Sequence, residues 1–266
     1  MHPSLQLAAI QLRTPDLARS IGFYAQQLGF VVVDHGPSRA SLATAADAAP
    51  ILTLVEDLAA VPAPREAAGL FHAALLFPSR SALGAWLRHA QAHQVEFDGF
   101  ADHGVSEALY FSDPDGNGLE FYSDRPRQQW PYANGELAMT TQALDLRGLL
   151  AAASPASDRP LRGAHWGHLH LRVTQLDRSD AFYRGALGME VMQRSFPGAR
   201  FLAADGYHHH LGLNTWGGPR LPQPPAAQGL SEATFFRPAV PTESVQTDPD
   251  GMRIRISPTP APAKIP

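Results

Sequence analysis

Apolar and polar positions alternate from Leu5 to Leu12, and a helical pattern follows that ends at Leu28-Gly29. Alternation indicates a half-buried strand, a helical period indicates a helix packed on a core, and glycine commonly ends a helix. The same order returns later, where alternation from Leu169 to Val173 precedes a helical pattern that ends at Leu187-Gly188. The two segments predict two copies of a strand followed by a helix.

The sequence itself repeats in and around these segments. Asp16–Tyr24 resembles Gln175–Tyr183, since both contain Arg-Ser and end in Phe-Tyr. A weaker repeat relates Gly69–Pro78 to Gly229–Pro238, and each copy is followed by an Asp-Pro-Asp-Gly turn sequence. Internal similarity of this kind indicates that one structural unit recurs along the chain.

The second unit is the most complete. Its pattern predicts a helix over Ser79–His93 and strands over 95–100, 107–111 and 118–122. The last unit has no room for such a helix, because Pro241 follows its first strand almost at once. We therefore predict an α+β protein of four βαβββ modules, the fourth truncated, at residues 4–60, 66–124, 164–217 and 228–258.

The predicted organisation has two halves. Modules one and two occupy residues 1–125, and modules three and four occupy residues 164–266. The linker 126–163 is rich in proline at both ends and carries a short helical candidate over residues 142–153.

Composition narrows the classes of function. The chain has 266 residues, a net charge of −4 and no run of basic residues, which argues against nucleic acid as a partner. No apolar stretch approaches the roughly 20 residues that a membrane span needs, so no membrane partner and a cytoplasmic location are expected. The chain has no cysteine and 12 histidines, which leaves His, Asp and Glu as metal ligands.

The strongest local signal is the run Asp102–Tyr122, DHGVSEALYFSDPDGNGLEFY. Glu120 interrupts an apolar alternation there, and a buried carboxylate needs a counter-charge such as a metal ion. Together with Phe23-Tyr24, Leu28-Gly29-Phe30 and the run YHHHLGLNTW from Tyr207 to Trp216, it resembles catechol-2,3-dioxygenase-like members of the vicinal oxygen chelate (glyoxalase/bleomycin resistance/extradiol dioxygenase) superfamily. The resemblance implies that the modules form two half-open β-barrels.

In that superfamily the metal ligands come from the first and last strands of paired modules. By this resemblance the expected metal ligands are His72, Glu120 and His168, from modules two and three. Module two is therefore expected to pair with module three, and module one with module four. The corresponding positions of the second barrel hold Ala9, Glu232 and Arg255, which cannot hold a divalent cation, so we predict a buried ion pair of Glu232 with Arg255 in place of a metal.

The resemblance also implies catalytic residues. His209 is the expected acid/base, since imidazole exchanges protons near neutral pH. Tyr110 is expected to donate a hydrogen bond to a substrate oxygen, and His103 is a further candidate whose spacing from Tyr110 departs from the two-domain enzymes of the family. If residues 207–214 form a regular strand, His208 and His210 point away from His209.

Other interpretations of these histidines stay open. Taken alone, His72 could be a hydrogen-bonded core residue, and His170 shares a strand face with His168 and is an alternative ligand. His89 and His93 have i,i+4 spacing on a helix, which suits a metal, but no third ligand is near them in sequence. The Asp-Pro-Asp-Gly segments fit turn geometry and lack the EF-hand pattern of a calcium loop.

The resemblance implies a ring-cleaving extradiol dioxygenase that acts on a small aromatic diol with O2. Two histidines and one carboxylate are typical of non-haem Fe(II), and Mn(II) or another divalent metal is compatible with them. Two alternatives are a glyoxalase- or epoxide-opening-type metalloenzyme of the same superfamily and a metal-free drug-binding resistance protein. The sequence leaves open the ring substituents, the metal used in the cell and whether the protein is a homo-oligomer.

Overall fold

The computed structural model describes residues 4–155 and 157–259. Its four helices are α1 Leu17–Ile21, α2 Arg80–Ala92, α3 Leu146–Ala151 and α4 Leu176–Leu187. A π-helical turn, Gly22–Gln27, continues α1, and a 3-10 turn covers Arg127–Gln129. The strands are β1 Gln6–Thr14, β2 Val31–His35, β3 Arg39–Ala43, β4 Leu52–Glu56, β5 Gly69–Leu76, β6 Gly99–Asp102, β7 Ser106–Ser112, β8 Gly118–Asp124, β9 Tyr132–Ala133, β10 Glu136–Leu137, β11 His165–Arg172, β12 Glu190–Gln193, β13 Ala199–Ala203, β14 Leu211–Asn214, β15 Gly229–Phe236, β16 Ser244–Thr247 and β17 Arg253–Ser257.

Two large sheets contain most of the strands. One has the order β16-β17-β15-β1-β4-β3-β2, and the other has the order β12-β13-β14-β11-β5-β8-β7-β6. Each is joined at its centre by an antiparallel pair of first strands, β1 with β15 and β5 with β11. Module one therefore pairs with module four, and module two with module three. This confirms the predicted fold class and pairing, and each sheet takes strands from both sides of the linker.

The helices follow their sequence signals. Ser79 caps α2 by accepting a hydrogen bond from the Ala82 N–H, and the helix buries Leu83, Trp86, Leu87 and Ala90 against the sheet. Gly188 ends α4 in the left-handed conformation, with a φ of 68°. No helix separates β15 from β16, which confirms that module four is truncated.

The linker helix packs directly on α2. The predicted helix over 142–153 is shorter in the structure, where α3 spans Leu146–Ala151 and is capped by the Asp145 side chain. A Cβ at Gly84 of α2 would lie 2.5 Å from the Leu149 carbonyl oxygen, so only glycine permits this close contact.

Two strand predictions need correction. The strand expected over 95–100 begins at Gly99, because Gln94 adopts a φ of 56° after α2 and the chain turns before it pairs. The strand expected over 207–214 begins only at Leu211. Asp205 and Gly206 both have positive φ values, 55° and 63°, and the turn they make carries the next residues out of extended geometry.

Candidate metal centre

The three predicted ligands lie on adjacent strands of the eight-stranded sheet: His168 on β11, His72 on β5 and Glu120 on β8. Glu120 Oε2 lies 3.0 Å from His72 Nε2 and 3.2 Å from His168 Nε2. The three ligand atoms lie within 4.8 Å of one another, and residues 4–155 and 157–259 contain no other such group of three His, Asp or Glu side chains. Three residues far apart in sequence thus converge on one point.

Sheet register produces this convergence. Ala74 of β5 pairs with His168 of β11 on one side and with Glu120 of β8 on the other. His72 precedes Ala74 by two residues and therefore faces the same side of the sheet. The methyl group of Ala74 is too short to fill the space between its two larger neighbours, which leaves their polar atoms free to meet.

The cluster is buried and contains a carboxylate. His72, Glu120 and His168 are 6%, 2% and 1% exposed. Burial opposes ionisation of Glu120, but its interactions with His168 and His72 outweigh burial and hold the pKa of Glu120 well below its usual range. Burial lowers the pKa of His168 to about 4, so this imidazole is neutral at neutral pH. A buried carboxylate needs a counter-charge, which a bound cation would supply.

His168 Nε2 is within hydrogen-bonding distance of Glu120, but the His72 contact fits a metal ion better than a hydrogen bond. His72 Nε2 is fully buried and has no hydrogen-bond partner, although Glu120 Oε2 is only 3.0 Å away, because the two groups are not aligned for a bond. Ligand atoms about 2.1 Å from one cation and at right angles to each other are about 3.0 Å apart. The separations of 3.0 and 3.2 Å match this value. The residues present fit a divalent metal, and their assignment as its ligands stays a prediction.

Tyr110 and His103 form the next group. Tyr110 of β7 pairs with Glu120 of β8, and the Tyr110 hydroxyl lies 2.7 Å from His103 Nε2. His103 Nδ1 lies 2.6 Å from the Thr140 carbonyl, which only accepts, so neutral His103 carries its proton on Nδ1. Tyr110 therefore donates its O–H to His103 Nε2. Tyr110 can donate its O–H to a substrate oxygen, as expected, only by giving up its bond to His103. Burial and the Glu120 charge raise the pKa of Tyr110 well above its usual range.

His209 belongs to a segment that we call the histidine loop, residues 207–210. Its ring lies against His168, with 4.0 Å between centroids, and it lines the cavity above the cluster. Burial and the surrounding histidines lower the pKa of His209 well below its usual range. Strand alternation predicted that His208 points away from His209, and the structure shows that it does not. It is fully buried, and its Nδ1 lies 2.7 Å from His209 Nδ1.

A cavity of about 360 Å³ opens onto Glu120, His72 and His209. Its walls are mainly apolar and aromatic, and none of the described residues that line it is Lys or Arg. The largest apolar wall residues are Phe71, Phe100, Met139, Phe196, Phe201 and Trp216. A planar ring of modest size suits such a cavity, with its polar atoms directed at the cluster.

His170 is a cavity residue whose place the sequence did not assign. It lies opposite His72 in the sheet register but outside the three-residue cluster. It is 3% exposed, its Nε2 has no hydrogen-bond partner, and it lines the cavity. A Cβ at Gly212 would lie 2.8 Å from its ring, so glycine makes room for it. The sequence signal for this position was its shared strand face with His168.

The remaining histidine pair is not part of any described metal cluster. His89 and His93 stack on the surface of α2, and each bonds a backbone carbonyl, of Gln27 and His89 respectively. The i,i+4 spacing therefore places the His93 ring against the His89 carbonyl near the end of α2.

None of the helices in the described part of the chain combines the length and apolarity that a membrane span requires.

The second sheet holds an ion pair at the corresponding place. Arg255 Nε lies 2.8 Å from Glu232 Oε1, which confirms the predicted contact. Arg253 also bonds Glu232, and Glu243 bonds Arg255, so four charges form a network. The predicted burial is wrong, because the side chains of Glu232 and Arg255 are 14% and 30% exposed.

Comparisons with known proteins identify relatives of this chain. A family model described as the glyoxalase/bleomycin resistance protein/dioxygenase superfamily matches residues 6–121 and 165–237. The chain is 40% identical over 244 residues to catechol-2,3-dioxygenase of Bacillus subtilis (strain 168), covering 90% of this chain and 85% of that protein.

Two solved structures share the fold. One is a protein of Bacillus subtilis subsp. subtilis str. 168 described as a candidate dioxygenase, with a TM-score of 0.67, 13% identity and coverage of 99% and 87% of the two chains. The other is glyoxalase I from Zea mays, with a TM-score of 0.56, 16% identity and coverage of 96% and 93%. With the sequence relationship and the family model, they establish that this chain belongs to the glyoxalase/bleomycin resistance protein/dioxygenase superfamily.

Proposed function

We propose that the protein is an extradiol dioxygenase that cleaves a catechol-type diol with O2, using Fe(II) held by His72, Glu120 and His168. The observation that carries the proposal is the convergence of these three buried side chains beneath an aromatic cavity with no basic wall residue. The 40% identity to a catechol-2,3-dioxygenase supports the same reaction class.

Two imidazoles and one carboxylate on one side of a metal are the ligand set of non-haem Fe(II) oxygenases. When bound, Fe(II) would chelate the two adjacent oxygens of the diol and activate dioxygen. Both atoms of O2 enter the product as the ring bond beside the diol breaks, so the reaction needs no external reductant. Mn(II) or another divalent ion fits the same ligands.

The protein groups position the diol and move its protons. Neutral His209 would accept a proton from a diol hydroxyl and return it later, because burial keeps its imidazole uncharged at neutral pH. Tyr110 would donate its O–H to a substrate oxygen in exchange for its present bond to His103. The aromatic walls exclude water and hold the ring in the cavity.

The test is anaerobic loading with Fe(II), followed by addition of catechol and air. A yellow ring-opened product, with one Fe bound per chain, is the expected result. Hydroquinone and resorcinol are matched controls, since their hydroxyls are not adjacent and cannot chelate one ion. If Fe(II) gives no product while Ni(II) or Zn(II) protein converts the hemithioacetal of methylglyoxal and glutathione, the protein is a glyoxalase-type enzyme and the proposal is wrong.

A further inference from the structure

A chain of short hydrogen bonds links His209 to the end of strand β8. His208 Nδ1 lies 2.7 Å from His209 Nδ1, and His208 Nε2 lies 2.8 Å from Asp124 Oδ1. Asp124 is the last residue of β8, the strand that also carries Glu120. The chain runs from a half-exposed carboxylate to the wall of the cavity.

The partners decide which nitrogen of each ring carries the proton. A carboxylate oxygen only accepts, so His208 must carry its proton on Nε2 to bond Asp124. With its single proton on Nε2, His208 has a lone pair on Nδ1, and this accepts the Nδ1–H of His209. Since Nδ1 of His209 is taken, its Nε2 is left as the unprotonated nitrogen on the side of the cavity.

Packing keeps this arrangement in place. His208 is fully buried between Tyr207, whose ring centroid is 4.0 Å away, and Trp130, at 5.2 Å. The Tyr207 hydroxyl bonds the same Asp124 oxygen at 3.3 Å and so helps to fix the carboxylate. Neither the His208 ring nor the His209 ring has space to rotate freely, because both lie in close contact with aromatic neighbours.

We propose that Asp124 and His208 are positioning residues that hold His209 as the Nδ1–H tautomer, with Nε2 directed at the substrate. The inference rests on the proposed function in so far as His209 handles the substrate proton. The roles differ along the chain: only His209 would touch substrate, and His208 and Asp124 act through it.

The test compares substitutions at His208. His208→Leu removes the acceptor, whereas His208→Asn keeps an oxygen near the place of Nδ1. In the Fe(II) enzyme, His208→Leu should lower kcat about 10-fold to 100-fold with KM and metal content near wild type. His208→Asn should recover most of that loss. Asp124→Ala should act in the same direction as His208→Leu, and it tests the chain from its half-exposed end if His208→Leu does not fold.

A second measurement does not depend on turnover. Imidazole 15N shifts of the Zn(II)-loaded protein should show His209 protonated on Nδ1 and unprotonated on Nε2, and a mixture of both forms in Asp124→Ala. Tyr207→Phe is the matched control, since it removes the other bond to Asp124 and should keep one tautomer. A single Nδ1–H form without ring cleavage by the Fe(II) protein would reject the proposed function and keep the positioning role. A His209 that carries its proton on Nε2, or that is unchanged in Asp124→Ala, would overturn the positioning role.

Discussion

The two sheets share one frame and differ in the residues placed on it. In the eight-stranded sheet, Ala74 pairs with His168 on one side and with Glu120 on the other. In the seven-stranded sheet, Thr234 pairs in the same way with Ala9 and Arg255. The equivalence extends further, since His72 lies opposite His170 as Glu232 lies opposite Gln11.

This comparison shows that register supplies the meeting point and side-chain chemistry decides its use. Two histidines and a carboxylate leave an uncompensated negative charge that a cation can satisfy. Glu232 and Arg255 neutralise each other and leave no ligand for a metal. The two clusters also differ in exposure: the first is buried, and the second is partly open to solvent.

The largest expected effect comes from removing the anion of the first cluster. Glu120→Ala should lower the bound metal from one per chain to near zero, with affinity reduced on the order of 10²-fold or more, since two imidazoles alone hold a divalent ion weakly against water. Metal analysis after dialysis measures this, and turnover should disappear with the metal.

The matched control is Glu232→Ala, which removes the carboxylate of the second sheet. This variant should keep full metal content and activity, because no metal ligand of the proposed site is touched. Loss of metal from Glu232→Ala, or full occupancy in Glu120→Ala, would contradict the assignment of the metal to the eight-stranded sheet.

The repeat made most of the frame predictable. The repeats, together with the ligand positions that the family resemblance implies, allowed His72, His168 and Glu120 to be compared with Glu232, Ala9 and Arg255 before any contact was known. The registers of the two sheets agree with that alignment. Local signals also sufficed for α2 and α4, whose caps, Ser79 and Gly188, lie where the sequence puts them.

The histidine loop shows where sequence reasoning ended. Alternation predicts that His208 and His209 face opposite sides, but this holds only for extended backbone. The positive φ values of Asp205 and Gly206 turn the chain before the loop, and both imidazoles then face the interior. The hydrogen bond from the Tyr110 hydroxyl to His103 could not be predicted either, because its direction depends on Thr140, a linker residue that fixes the tautomer of His103.

A feature common to both halves gives the next effect. The Tyr24 hydroxyl donates to Asp113 at 2.9 Å, and the Tyr183 hydroxyl donates to Asp248 at 2.8 Å, so each repeated helix is tied to an Asp-Pro-Asp-Gly turn. Tyr24→Phe and Tyr183→Phe should each lower the free energy of unfolding by about 1.5–3 kcal/mol, since each removes a bond to a buried carboxylate.

Urea denaturation of each variant measures this loss in the free energy of unfolding. Both variants should retain the metal, because the two tyrosines belong to the shared frame and not to the site. If Tyr24→Phe alone lost its metal, the turn before β8 would be part of the site, and the comparison between the two halves would have to be redrawn.

The smallest effect concerns the ion pair of the second sheet. Arg255→Leu removes two hydrogen bonds to Glu232 but leaves Arg253 beside it. Because the pair is partly exposed, the expected loss in the free energy of unfolding at neutral pH is about 1 kcal/mol or less. Glu232→Leu/Arg255→Leu should recover part of it, since the double variant no longer contains the Glu232 carboxylate that Arg255→Leu leaves without its main partner.

The effect should also depend on pH in a defined direction. Burial opposes ionisation of Glu232, but the hydrogen bonds and charges of Arg255 and Arg253 together outweigh burial and lower the pKa of Glu232 from its usual value. A lowered carboxyl pKa gives stability that is present above the unfolded-state pKa and is lost as the pH falls through the folded-state pKa. The difference between wild type and Arg255→Leu should therefore be full at neutral pH and shrink in acid. A loss above about 3 kcal/mol at neutral pH would instead be the size expected for a buried pair, and the second sheet would then be as closed as the first.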